Sequence, residues 1–94
     1  MSESADEETF NAMFDAIKQA KVSDLVLSTV TTLVSVAYGK VELKELDEAK
    51  LAIEAIDALL PLAEGRLDDG MRRDLKQAVA NLKLAYADAV TSSQ

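Results

Sequence analysis

The sequence predicts an all-α fold, a small bundle of three to four helices that ends in an antiparallel helical hairpin. Its 94 residues are the size of one domain. Hydrophobic residues make up 49% of the chain and aromatic residues only 4%, so the core must be built from Leu, Val, Ile and Ala, which suits closely packed helices. Apolar residues also recur every three to four positions, which is the period of an amphipathic helix.

The first predicted helix covers residues 7–20. Its apolar positions are spaced i, i+3, i+4 and i+7 and share one helix face; they are Phe10, Met13, Phe14 and Ile17. Asp6 is the expected N-cap. Residues 1–6 are expected to form a disordered acidic tail.

The stretch 25–38 is rich in β-branched residues, which suit strands, but its hydroxyl residues favour a helix. In a helix they collect in one arc, whereas a strand would place them on both faces; they are Ser28, Thr31, Thr32 and Ser35. We expect Ser23 to cap this helix and Gly39 to end it in the left-handed conformation.

The junction between these two helices is expected to bend around residues 20–23. In one straight rod, the apolar stripe of the first helix would fall on the hydroxyl arc of the second, a reversal of half a turn. A bend removes this conflict. A straight rod that contacts two different partners is the alternative.

Two further helices form the predicted hairpin. The third helix has a heptad-like seam, which consists of Leu46, Ala49, Ile53, Ile56, Leu60 and Ala63. Asp47 is its expected N-cap, and Pro61, which lacks an N–H, is expected to kink or end it near Leu60. Gly65 then closes its last turn.

The last helix is predicted to start at Asp68 or Asp69 as N-cap and to carry apolar positions from Met71 to Val90. Residues 7–90 thus form one helical domain, and residues 91–94 are expected to fray. Because the link between the last two helices is short, they must pair antiparallel. Folding about Arg66 places Asp57 near Lys76 and Glu48 near Lys83.

The sequence offers no residue that we assign to catalysis, to a cofactor or to a metal. It contains no Cys and no His. Thiolate catalysis, disulfides and imidazole acid–base chemistry are therefore excluded, and the usual zinc ligands are missing. We expect a non-enzymatic protein that needs no cofactor or metal to fold.

The net charge of −7 opposes binding to phosphate backbones and to anionic lipid. One face of the last helix is basic, however, and this candidate basic face consists of Arg72, Arg73, Lys76 and Lys83. It has no interleaved aromatic residue for base stacking. We therefore favour a solvated face over a contact with RNA or an acidic protein, and we expect no nucleic-acid partner.

The sequence also predicts a cytoplasmic protein without membrane contact. Its first residues are acidic, whereas a secretory signal begins with basic residues. The longest charge-free window, Leu25–Gly39, has fifteen residues, and a membrane-spanning helix needs about 20.

Four short motifs between residues 23 and 86 resemble one bacterial family. They are Tyr38-Gly39 at a helix end, Ala52 with Ile56-Asp57-Ala58-Leu59, the turn Gly65-Arg66-Leu67, and Leu82-Lys83-Leu84-Ala85-Tyr86. This pattern is similar to that of the domain-of-unknown-function family 1844, with Tyr38 in place of a Leu and Lys83 in place of an Arg. The resemblance implies a bacterial, cytoplasmic helical protein and assigns no activity.

The expected function class is a structural or protein-interaction module that self-associates. The second helix is apolar around more than half of its circumference, and one hairpin covers only one side of it. We therefore expect a homodimer joined through the first two helices. The candidate interface consists of Phe10, Met13, Phe14, Ile17, Leu25, Val26, Val30 and Leu33. The alternatives are a monomer closed by its own first helix, a module for another protein, and a small-ligand or lipid carrier with an apolar cavity.

Overall fold

The computed structural model describes the backbone of residues 2–93 and the side chains of residues 6–93. The four helices are α1 Ser2–Gln19, α2 Val22–Glu42, α3 Leu46–Glu64 and α4 Asp69–Ser93. This part of the chain has no strand. The predicted all-α fold is confirmed, including a helix through the β-branched stretch in α2.

Helices α2, α3 and α4 form one packed body, in which each contacts the other two. Its buried residues are Val30, Ala37, Ala49, Ala52, Ile56, Ala63, Leu75, Val79, Leu82 and Ala89. Half of them are alanines, which allow helix backbones to approach closely. Ile56, Leu82 and Val30 are the largest fully buried side chains and mark the centre of the core. The predicted α3 seam is confirmed, because all its residues are buried or half-buried.

Helix α1 projects from this body and, within the described residues, packs against none of the other helices. Lys21 is extended (φ −78°, ψ 133°), so the predicted interruption between the first two helices is confirmed. The Cα radius of gyration is 17.4 Å, against roughly 12 Å for a compact chain of this length. The molecule is 57 Å long, whereas α4, the longest helix, spans only about 37 Å. The additional length comes from α1.

Several predicted helix ends are wrong. α1 begins at Ser2, so Asp6 lies inside it, and residues 2–6 are helical where a disordered tail was expected; Met1 lies outside the described residues. Acidic residues stabilise the first turns of a helix, which explains the earlier start. Ser23 lies inside α2, whose N-cap residue is Lys21 without a side-chain cap. α4 extends to Ser93, and Gln94 lies outside the described residues.

The end of α2 lies beyond Gly39, which is helical and does not adopt a positive φ. Lys44 is the residue with the left-handed backbone (φ 61°). Its N–H donates to the carbonyl of Val41, and the N–H of Glu45 donates to the carbonyl of Lys40. These two bonds form a Schellman motif. An ion pair replaces its usual hydrophobic contact, since Lys40 Nζ lies 2.8 Å from Glu45 Oε2. This hydrogen bond and the charge of Glu45 raise the pKa of Lys40.

The ends of the hairpin helices agree with the predictions only in part. α3 continues through Pro61 to Glu64 and does not end at Leu60. Its N-cap residue is Glu45, so the expected cap at Asp47 is wrong. The cap of α4 is confirmed, because Asp68 Oδ1 accepts a 2.8 Å hydrogen bond from the N–H of Met71.

Two ion pairs define the register of the hairpin. Lys83 Nζ lies 2.8 Å from Asp57 Oδ1, and Lys76 Nζ lies 3.7 Å from Glu64 Oε2. Both pairs are symmetric about residue 70, so the partners expected from folding about Arg66 are wrong. Side chains of a helix lean toward its N-terminus, which in α4 is the direction of the α3–α4 turn. Each long Lys side chain therefore extends toward the turn. It pairs with an acidic residue that lies closer to the turn than the Cα of the lysine does.

Candidate interaction surface

The apolar residues of α1 form an exposed stripe, defined here as Phe10, Met13, Phe14 and Ile17. Their exposed fractions are 64%, 60%, 49% and 69%. The two phenylalanine rings stack with centroids 6.0 Å apart. Lys18 Nζ lies 5.3 Å from the centroid of the Phe14 ring, at the edge of the stripe. An amphipathic helix normally buries such a face, and no other helix within the described residues covers this one.

The first turn of α2 also has exposed apolar residues. Val22 is 74% exposed and Leu25 is 60% exposed. Val22 was missed by the sequence analysis, although its place just after the helix junction is the signal that would have identified it.

The other residues of the candidate interface lie within or against the core of the body. Val30 is fully buried there, so its assignment to the interface is corrected. Val26 and Leu33 are half-buried and pack against that core. The hairpin was expected to cover only one side of α2. In the structure both α3 and α4 contact α2.

The total accessible surface shows how much of the chain remains uncovered. It is 6834 Å² for a chain of 10.1 kDa. A compact monomer of this mass exposes about 5,300 Å². The excess is roughly 1,500 Å², whereas one side of a standard protein–protein interface is about 800 Å². The elongated chain therefore exposes more surface than a compact monomer would, and the stripe of α1 is part of that surface.

An apolar groove lies between α2, α4 and the α3–α4 turn. Its volume is about 330 Å³, and its lining residues are Leu27, Thr31, Leu67, Met71, Asp74 and Leu75. Met71 is 51% exposed. The apolar positions of the last helix, which begin at Met71, were predicted from the sequence, but their proximity to Leu27 was not.

The hydroxyl arc of α2 is exposed and bonded to its own helix. Ser28 donates to the carbonyl of Leu25, and Ser35 donates to that of Thr31. Thr31 in turn donates to the carbonyl of Ser28. These donor groups are satisfied within the helix, which is the local arrangement by which Ser and Thr residues fit into it.

The candidate basic face is largely occupied by bonds inside the chain. Arg72 donates to the carbonyls of Glu64 (3.2 Å) and Leu67 (2.9 Å) and forms a 2.9 Å ion pair with Asp69. Lys76 and Lys83 hold the hairpin through the ion pairs given above. Of the four residues, Arg73 alone has no ion pair within the described part of the chain. The structure therefore brings these residues to one side of α4 but uses three of them to fix the fold.

Two features of the described residues bear on other classes of function. They contain no group of three or more His, Cys, Asp or Glu residues close enough to hold a metal ion. One helix, α2, has the length and composition to cross a membrane, with a mean hydropathy of 1.4 in its most apolar window. Core helices meet the same two criteria, and α2 contributes Val30 and Ala37 to the core of the body, although only 17% of this window is buried.

Comparison with family models, with curated proteins and with solved structures yields no match to this chain. The resemblance of residues 23–86 to the domain-of-unknown-function family 1844 therefore stays a prediction.

Proposed function

We propose that this chain is a non-enzymatic interaction module that self-associates as a homodimer through α1 and the start of α2. One observation carries the proposal: the stripe of α1 is exposed on a helix that packs against no other helix of the described chain. In water, such a helix gains most of its stability from packing its apolar face. A second copy supplies that packing, and two-fold pairing is the commonest arrangement of small oligomers.

The size of the stripe indicates what else the interface must include. Burying four fully exposed large apolar side chains would contribute about 6–12 kcal/mol. Because only 49–69% of each side chain is exposed in the free chain, the stripe contributes roughly 4–7 kcal/mol. Association costs roughly 4–15 kcal/mol in lost rigid-body and side-chain freedom. The stripe alone is therefore marginal, so the proposed interface also includes Val22 and Leu25.

The proposed setting is the bacterial cytoplasm, and the proposed partner is a second copy of the chain. The absence of Cys and His from the sequence supports a non-enzymatic role. The carrier alternative requires an enclosed apolar cavity, whereas the apolar groove beside α4 is open to solvent and much of the core is closely packed alanine.

Multi-angle light scattering across a concentration series tests the proposal. We expect a mass that rises to twice the chain mass of 10.1 kDa. Phe14→Asp should return the mass to that of one chain, because it would force a carboxylate into an apolar contact. Leu84→Asp is the matched control, since Leu84 is 65% exposed on α4 and lies outside the proposed interface. A wild-type mass of one chain at every concentration contradicts the proposal.

A further inference from the structure

We infer that the apolar groove of one copy binds the α1 stripe of the other copy, so that the two chains exchange their first helices. This inference rests on the proposed self-association and identifies its second surface. The groove residues are Leu27 and Thr31 of α2, Leu67 of the turn, and Met71, Asp74 and Leu75 of α4.

The position of α1 favours a second copy over its own groove. α1 is about 27 Å long, and the 57 Å extent of the molecule places it beyond the packed body. Within the described residues it contacts none of the helices that line the groove. Two chains related by a two-fold axis can each place α1 over the groove of the other, which satisfies both surfaces with one repeated contact.

The lining of the groove suits aromatic side chains. Three of its residues are leucines, and Met71 is half-exposed there. Methionine adapts to irregular surfaces and makes favourable contacts between its sulfur and aromatic rings. The stacked pair of Phe10 and Phe14 offers such rings on a helix that packs against no other helix of the described chain.

One pair of charges at the two surfaces is complementary, although α1 as a whole is acidic. Asp74 lines the groove and has no ion-pair partner within the described residues. Lys18 and Lys21 lie at the α2 end of the stripe and are also without an ion pair there. Lys18 Nζ already lies against the Phe14 ring. Seating the stripe in the groove therefore brings a free cation toward a free carboxylate, which sets the direction of the docked helix.

The exchange covers more of the exposed surface than a contact between the two α1 stripes would. The accessible surface of the chain exceeds that of a compact monomer of the same mass by roughly 1,500 Å². In the exchanged dimer each chain covers two separate surfaces, its own α1 stripe and its own groove. A contact between the two α1 stripes alone would leave the groove exposed.

Disulfide trapping in the full chain tests the exchange, and the absence of native Cys makes the background clean. The Phe14→Cys chain, carrying a mass tag, is mixed with the Met71→Cys chain and oxidised. We expect cross-linked heterodimers in excess of both homodimers. The matched control is Phe14→Cys mixed with Leu84→Cys, which should give no such excess. Cross-linking of Phe14→Cys mainly to itself, with none to Met71→Cys, overturns the inference.

A double variant carrying Phe14→Cys and Met71→Cys distinguishes exchange from closure within one chain. Exchange predicts a covalent dimer, whereas an intrachain disulfide at the mass of one chain overturns the inference. Light scattering across a concentration series then measures the dimer affinity of further variants. Met71→Asp should weaken the dimer at least about tenfold, and Asp74→Lys about two- to fivefold. Lys18→Asp should restore affinity in the Asp74→Lys background.

The two proposals fail in different ways. A wild-type chain that stays monomeric at every concentration overturns both. A wild-type dimer that Phe14→Asp separates and Met71→Asp leaves intact overturns the groove alone and keeps the proposed self-association. Circular dichroism of each variant checks that its helices are intact.

Discussion

Helix α1 and the body formed by α2, α3 and α4 follow the same sequence rule with opposite results. Both have apolar residues at helical spacing, and both are helical. In the body, Ile56 and Leu82 are fully buried, whereas Ile17 and Phe10 are 69% and 64% exposed. Periodicity therefore shows which face of a helix is apolar, but not which molecule covers it. The difference between these two regions is the reason for assigning α1 to a partner.

The largest expected effect compares one substitution in the two regions. Ile56→Ala should lower the free energy of unfolding by about 2–5 kcal/mol, because it leaves a cavity at a fully buried position. Ile17→Ala should change it by less than about 0.5 kcal/mol at concentrations where the chain is monomeric, because that side chain is 69% exposed. Urea unfolding of both variants is the measurement. Equal losses would place α1 in the core.

Two neighbouring arginines give the next effect. Arg72→Ala removes three charged hydrogen bonds, two of them to carbonyls at the α3–α4 turn, and should cost about 1–3 kcal/mol. Arg73→Ala removes an exposed side chain without an ion pair in the described chain and should stay within about 0.5 kcal/mol. If thermal unfolding shows the same loss for both, the assignment of Arg72 to the turn is wrong.

The next prediction concerns the end of α2, where Gly39 is helical and Lys44 has the left-handed backbone. Gly39→Ala should stabilise the chain by about 0.5–1 kcal/mol, because Gly39 is helical and an added Cβ meets no atom within 4 Å. Lys44→Gly should stabilise it by a similar amount, about 0.5–1 kcal/mol, by relieving a left-handed backbone. If urea unfolding showed that Gly39→Ala is less stable than the wild-type chain, α2 would have to end at Gly39.

The smallest expected effect concerns the exposed hairpin ion pairs. Lys83→Ala should cost about 0.2–1 kcal/mol, since both Lys83 and Asp57 are about half-exposed. The loss should shrink in high salt, because salt screens exposed charges. Asp57→Ala should give a similar loss, and the double variant should lose less than the two single losses added together. Additive losses would mean that the pair does not form in solution.

The comparison also explains how much of the fold the sequence could predict. Helical periodicity of apolar residues predicted the four helices and the buried seam with Ile56, and the spacing of Ser and Thr residues predicted the hydroxyl arc of α2. These patterns are reliable because each of them involves many residues. Individual caps were less predictable. Ser23 and Gly39 have the residue types of caps, yet both lie inside α2, because local preference is a weak signal that the rest of the structure overrides.

The exposed stripe of α1 could be predicted from the sequence, whereas the apolar groove of the body could not. The stripe depends only on spacing within one helix, so the sequence identified Phe14 and its neighbours. The groove joins residues from α2, the turn and α4, and its existence depends on the register between helices. The ion-pair partners differ from the expected ones because lysine side chains lean along their helix, as the pairing of Lys83 with Asp57 shows.

The central claim is that α1 is covered by a second copy while the body is stable by itself. Hydrogen–deuterium exchange of the wild-type chain at a low and a high protein concentration tests it most directly. We predict that the amides of α1 exchange fast at low concentration and are protected at high concentration, whereas those around Ile56 in α3 are protected at both. Exchange in α1 that is equally fast at every concentration would contradict the account, as would protection that does not depend on concentration.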